Sequence, residues 1–159
     1  MREILELLEH DARLTPEEVA VRLGKDATQV REAIAQLEAN KALMGYSAVV
    51  NWEKTDSPKV YAFIAVGATP EHGKGFDAIA EHVRGFDEVH SVYLMSGSFD
   101  LQVVVEGDDF REIARFVAEK LAPIPGVSST ATSFVLKTYK LEGRSTADRE
   151  SNGRLAVTP

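Results

Sequence analysis

The 159-residue sequence predicts an α+β chain in two parts, three short helices closed by a wing strand and then a β-α-β-β-α-β unit. Three observations carry this expectation. Over residues 1–40, capping residues recur ahead of apolar stripes at helical spacing. After residue 58 the texture changes to β-branched and aromatic runs. Between the two, residues 53–58 are polar and break both patterns, which places a linker there.

The first part is read as residues 1–52. Ile4, Leu5, Leu7 and Leu8 form an apolar stripe that ends near Asp11. Thr15, Pro16 and Glu18 predict the start of a second helix: Thr15 suits the cap, Pro16 the first helical position, and Glu18 can reach back to the cap amide. Val19, Ala20 and Leu23 make its buried stripe, and Gly24 is free to close it with a positive φ. Asp26 caps a third helix, with Gln29 in the capping-box position and Val30, Ala33, Ile34 and Leu37 recurring at i, i+3, i+4 and i+7. Two helices joined by a short turn containing Gly, braced by a preceding helix, are a helix-turn-helix. Residues 43–52 alternate loosely and predict a short wing strand.

The second part is read as residues 59–140, with a polar tail over 141–159. Residues 59–66 and 89–95 predict strands, and Phe76, Ile79, Ala80 and Val83 share one helix face between them. After the loop from Ser96 to Asp100, residues 101–106 predict a third strand. Asp109 and Glu112 then cap a helix that Pro123 and Pro125 stop, and a last strand runs over 129–139. This order is the split βαβ, or ferredoxin-like, plan. Several strands are apolar on both faces: Tyr61, Phe63 and Ala65 oppose Val60, Ala62, Ile64 and Val66. Two helices cover only one face of such a sheet, so the other is expected to meet a second copy of the chain. Leu155, Ala156 and Val157 are expected to add an edge strand at the end of the tail.

Composition narrows the function. No cysteine is present, so disulfides and thiolate metal sites are excluded. The opening residues are too acidic for a signal peptide and no apolar run has membrane-spanning length, so a cytoplasmic location without membrane contact is expected. A net charge of −7 argues against non-specific coating of nucleic acid. It leaves room for specific reading by a few residues. His10, His72, His82 and His90 are scattered without metal-ligand spacing, and neither a nucleophile elbow nor a phosphate loop is present. The reading is therefore no catalytic residue, no metal and no cofactor.

Thr28, Gln29, Arg31, Glu32 and Gln36 stand on the third helix outside its apolar stripe, where a recognition helix reaches base edges of double-stranded DNA. Between two strands, Gly97 permits close backbone approach, and free amides in such a turn can receive a carboxylate.

Several motifs together resemble those of the Lrp/AsnC family of transcription regulators. They are residues 15–24, the helix end Ile34-Ala35-Gln36-Leu37-Glu38, and Leu43-Met44-Gly45-Tyr46, followed by residues 92–101 and by Gly126-Val127 leading to Thr130-Ala131-Thr132. The resemblance spans residues 1–140. It implies a homodimeric DNA-binding regulator, assembling further in some cases, that responds to an amino acid or related metabolite. It also implies that Ser96, Gly97, Ser98, Phe99 and Asp100 hold the effector beside the dimer interface, with Asp100 facing an α-ammonium group and Thr130 and Thr132 as further contacts. The sequence departs from the family pattern in an acidic third helix: Arg31 and Lys41 stand against Asp26, Glu32 and Glu38, and Lys41 occupies a position where relatives often carry Gly. Two alternatives stay open, a sirohaem-decarboxylase-like enzyme on the same architecture and a regulator acting through protein contacts alone.

Overall fold

A computed structural model describes residues 1–69 and 75–146, in two units that divide between Val50 and Asn51. In the first unit, α1 spans Arg2–His10, α2 Pro16–Leu23 and α3 Ala27–Ala39. The start of α2 is a complete capping box: the Thr15 hydroxyl accepts the Glu18 N–H, and Glu18 Oε2 accepts the Thr15 N–H at 2.8 Å. Its end is a left-handed turn at Gly24 (φ 61), where Lys25 N–H reaches Ala20 O and Gly24 N–H reaches Val21 O, the paired bonds of a Schellman motif. The Asp26 carboxylate caps α3 by accepting the N–H groups of Thr28 and Gln29. The expected return bond from the Gln29 side chain is not made. Ile4, Leu8, Val19, Ala20, Val30, Ile34 and Leu37 form the buried core, so the helical stripes fall where the periodicity places them.

The expected wing strand does not form. Residues 43–51 pair with no strand, because the first unit holds no other extended segment to complete their backbone hydrogen bonds. Tyr46 instead ties this exit segment back to α3, its hydroxyl donating to Glu38 at 2.9 Å. Residues 52–54, at the start of the expected linker, make a 3-10 turn that belongs to the second unit. There Glu53 accepts the Thr138 N–H at 3.0 Å and Lys59 stands 4.8 Å from the Trp52 ring centre.

The second unit holds β1 (Val60–Ala68), α4 (Asp77–Val83), β2 (Val89–Leu94), β3 (Leu101–Gly107), α5 (Phe110–Phe116) and β4 (Val127–Phe134). The strands form one antiparallel sheet in the order β2-β3-β1-β4, the ferredoxin-like plan. After α5 the helix loosens into one π turn over Val117–Leu121 before Pro123. Asp109 caps α5 through the Arg111 and Glu112 N–H groups, while Glu112 reaches back one residue further than expected, to the Asp108 N–H. Ala62, Ile64, Val66, Leu101, Val103 and Val105 on one sheet face pack against Ile79, Val83, Ile113, Phe116, Leu121 and Ile124. The opposite face carries Phe63 across from Val104 and Ala65 across from Ala131, and leaves Phe63 46% and Tyr93 53% exposed. The sheet is apolar on both faces, as the sequence predicts, and the helices cover one.

The last strand ends at Phe134 rather than 139. Val135 still donates to Tyr61 O, after which the chain leaves the sheet and returns as a two-residue hairpin, β5 (Lys140–Leu141) with β6 (Arg144–Ser145). The edge strand expected at Leu155–Val157, and His72, lie outside the described residues. Among the described residues no helix is long and apolar enough to cross a membrane.

Candidate functional site

Two surfaces carry the residues singled out in the sequence. On the first, Thr28, Gln29, Arg31, Glu32 and Gln36 are all exposed along α3, because the buried stripe Val30, Ile34 and Leu37 turns the opposite face outward. The cap at Asp26 aligns the start of α3, so its first side chains project from a satisfied helix end. The basic groups of this unit are mostly engaged: Arg2 pairs with Glu6, Arg13 with Asp11, Lys25 with Glu3, and Arg31 with Glu17 of α2. Lys25 and Arg13 hold their partner carboxyls below the ordinary range, chiefly through direct side-chain hydrogen bonds. This surface therefore presents a few aimed polar groups rather than a basic field. The role of Glu17 is invisible in the sequence, since nothing in a spacing of fourteen residues signals a contact across a turn.

The second surface lies at one end of the sheet, where β1 and β2 finish and β3 and β4 begin. The loop from Ser96 to Asp100 is fastened there at three points. Met95 N–H donates to Asp100 O at 2.8 Å, Asp100 N–H donates to Val66 O at 3.0 Å, and Asp100 Oδ2 accepts the Ala68 N–H at 2.8 Å. Asp100 is half-buried, with one carboxylate oxygen committed to the end of β1 and the other carrying no protein bond among the described residues. The backbone N–H groups of Ser96, Gly97, Ser98 and Phe99 likewise meet no acceptor among the described residues. A Cβ built on Gly97 would meet nothing within 4 Å, so the loop crest is open rather than pressed against its own chain. Thr130 sits beside Val66 in the β1–β4 register, one strand from Asp100, and is half-buried; Thr132 pairs with Ile64, further down the strand, and is exposed. Both lie on the helix-covered side of the sheet, at its β4 edge. At the head of β4, Gly126 takes a φ of 93 and accepts the Thr69 N–H at 2.7 Å; a Cβ there would come within 2.8 Å of Ile79 Cδ1.

Residues 61–145 match the family described as the Lrp/AsnC ligand binding domain, and residues 1–40 match winged helix-turn-helix DNA-binding. The chain belongs to the Lrp/AsnC family of transcriptional regulators. Among curated relatives, the uncharacterized HTH-type transcriptional regulator YugG of Bacillus subtilis (strain 168) is 42% identical over 99% of this chain and 95% of its own. The leucine-responsive regulatory protein of Klebsiella pneumoniae is 27% identical over 90% of this chain and 87% of its own. Among solved structures, a Neisseria meningitidis transcriptional regulator in complex with L-Met superposes with a TM-score of 0.69 at 27% identity, covering 87% of this chain and 89% of that one. The Mycobacterium tuberculosis leucine response regulatory protein superposes at 0.75 with 23% identity, covering 88% and 92%, a likeness of fold.

Membership of the Lrp/AsnC family leaves the decarboxylase-like alternative without support. A polycarboxylate substrate needs converging cations, whereas Arg84 pairs with Glu81 at 2.5 Å and Arg111 and Arg115 both stand on α5.

Proposed function

We propose that this Lrp/AsnC protein is a homodimeric regulator that reads DNA with Thr28, Gln29, Arg31, Glu32 and Gln36. In this reading it alters its binding when a free amino acid occupies the loop from Ser96 to Asp100. The observation that carries the effector reading is the chemistry of that loop. Four consecutive N–H groups that meet no acceptor among the described residues suit a carboxylate, and the Asp100 oxygen that carries no bond among them suits an ammonium group. A zwitterion presents both groups on adjacent atoms. The L-Met complex of the Neisseria relative and the leucine-responsive name of the Klebsiella relative support the amino-acid class. Thr130 is the nearer of the two threonines to this loop and Thr132 the more remote, so Thr130 is the stronger side-chain contact.

Dimerisation through the open sheet face explains why Phe63, Val104 and Tyr93 remain apolar where no helix covers them. A two-fold dimer presents two copies of α3 to a near-palindromic site. A cytoplasmic location follows from binding DNA. The test is a genome-wide binding selection with the intact protein, followed by calorimetry against the common amino acids. Recovery of one enriched, near-palindromic site and saturable binding of at least one amino acid support the reading; absence of both overturns it.

A further inference from the structure

Arg31 is the one basic side chain of α3, and its Nη2 donates to Glu17 Oε1 on α2. Both side chains are more than half exposed, 57% and 56%, so the pair adds little to folding. Its effect is on the arginine. Glu17 stands in the first turn of α2 and is itself held: its own backbone N–H, first, and the Arg31 guanidinium, second, keep its carboxyl below the ordinary range. A guanidinium carries five N–H donors, and one contact at Nη2 leaves four, among them one pair of parallel N–H groups, shared by Nη2 and a neighbouring nitrogen, of the kind that matches guanine O6 and N7.

We propose that Glu17 is a specificity-determining positioning residue, which holds the Arg31 guanidinium against α2 so that its free edge meets one base step instead of the backbone phosphates. The inference rests on the reading of α3 as the recognition helix. The physical ground is twofold. Pairing removes much of the net charge that would draw Arg31 to any phosphate, while leaving its hydrogen-bond donors intact. Tethering also removes rotamer freedom from a long side chain before DNA arrives, which favours the one geometry the tether permits. The acidic character of this unit, nine carboxylates against six Lys and Arg over residues 1–50, suits a protein that depends on discrimination more than on general attraction.

The experiment compares the intact wild-type chain with Glu17→Gln, Arg31→Ala and the double variant. Each is titrated with the selected duplex, the same duplex with the guanine facing Arg31 replaced, and an unrelated duplex, with thermal melting run alongside. Glu17→Gln is expected to bind the unrelated duplex more tightly and to lose roughly tenfold of its discrimination between the first two, about the size of one bidentate contact. The double variant is expected to match Arg31→Ala. Parallel weakening on all three duplexes with a lowered melting temperature would make Glu17 a structural brace and overturn the proposal. So would a gain confined to the selected duplex, which would mean that Glu17 only sequesters Arg31. A wild-type chain that binds no duplex selectively overturns the recognition-helix reading, and the proposal with it.

Discussion

The Asp100 carboxylate accepts the Ala68 N–H at 2.8 Å, so the residue proposed to bind an ammonium group also fastens its loop to the end of β1. The two roles separate by substitution. Asp100→Ala leaves the Ala68 amide without its acceptor and is expected to cost about 1–3 kcal/mol of stability together with ligand binding. Asp100→Asn keeps a carbonyl oxygen for Ala68 and removes only the charge. It is expected to melt near the wild-type temperature and to lose at least about tenfold in amino-acid affinity, as a charged partner is replaced by a neutral one. Denaturant melts paired with calorimetry read both quantities.

Lys41 adopts a φ of 60 in the turn after α3, a left-handed conformation that disfavours any side chain with a Cβ. Lys41→Gly is expected to raise stability by about 0.5–1 kcal/mol, since relief of that strain exceeds the added freedom of glycine in the unfolded chain. The urea midpoint should move upward at an unchanged slope.

What the sequence showed, and what it hid, divides by the range of the interaction. Thr15, Pro16, Glu18 and Gly24 announced both ends of α2 because capping is decided within a few residues. The buried face of α3 was legible because burial follows a period of 3.6, whereas β1, apolar on both faces, did not show in sequence which face the helices cover. Residues 43–52 alternated like a strand, but alternation predicts a face and not a partner, and none stands beside them in their unit. The end of the last strand was placed five residues too far for a related reason: Leu136 and Tyr139 are apolar yet exposed, beyond Phe134, the last β4 residue in the ladder with β1. The loop from Ser96 to Asp100 was singled out from Gly97 and the resemblance together. The Ala68 bond that restrains Asp100, thirty-two residues away, and the hold of Glu17 on Arg31 are tertiary contacts that no local pattern encodes.

Phe63 sits on the open sheet face opposite Val104 and Ser133. Phe63→Glu places a charge where the second copy is proposed to pack, which desolvates it without a partner on association. The variant is expected to run as a monomer in light scattering at micromolar concentration, with its secondary structure intact, because the side chain lies outside the buried core.

Lys59 donates to Glu106 at 2.6 Å and, with the Tyr61 hydroxyl, holds that carboxyl below its ordinary value of 4.5. Burial, followed by the Glu106 charge, pushes the Tyr61 phenol up to about 12. A depressed carboxyl contributes stability that is fully present above pH 4.5 and lost as the pH falls through the folded value. Lys59→Met is therefore expected to destabilise the chain by about 1 kcal/mol at neutral pH. Below pH 4.5 the gap should narrow, leaving only the lost contact with Trp52. Melts from pH 7 to pH 3 check this.

The claim that a zwitterion at the loop from Ser96 to Asp100 controls DNA binding is tested most directly by titrating the selected duplex with wild-type and Asp100→Asn protein, with and without each common amino acid. At least one amino acid is expected to shift wild-type affinity by about 5- to 150-fold, the usual span of coupling between two sites, and to leave Asp100→Asn unmoved. Wild-type affinity that ignores every amino acid, or an Asp100→Asn variant that responds as fully as wild type, would contradict it.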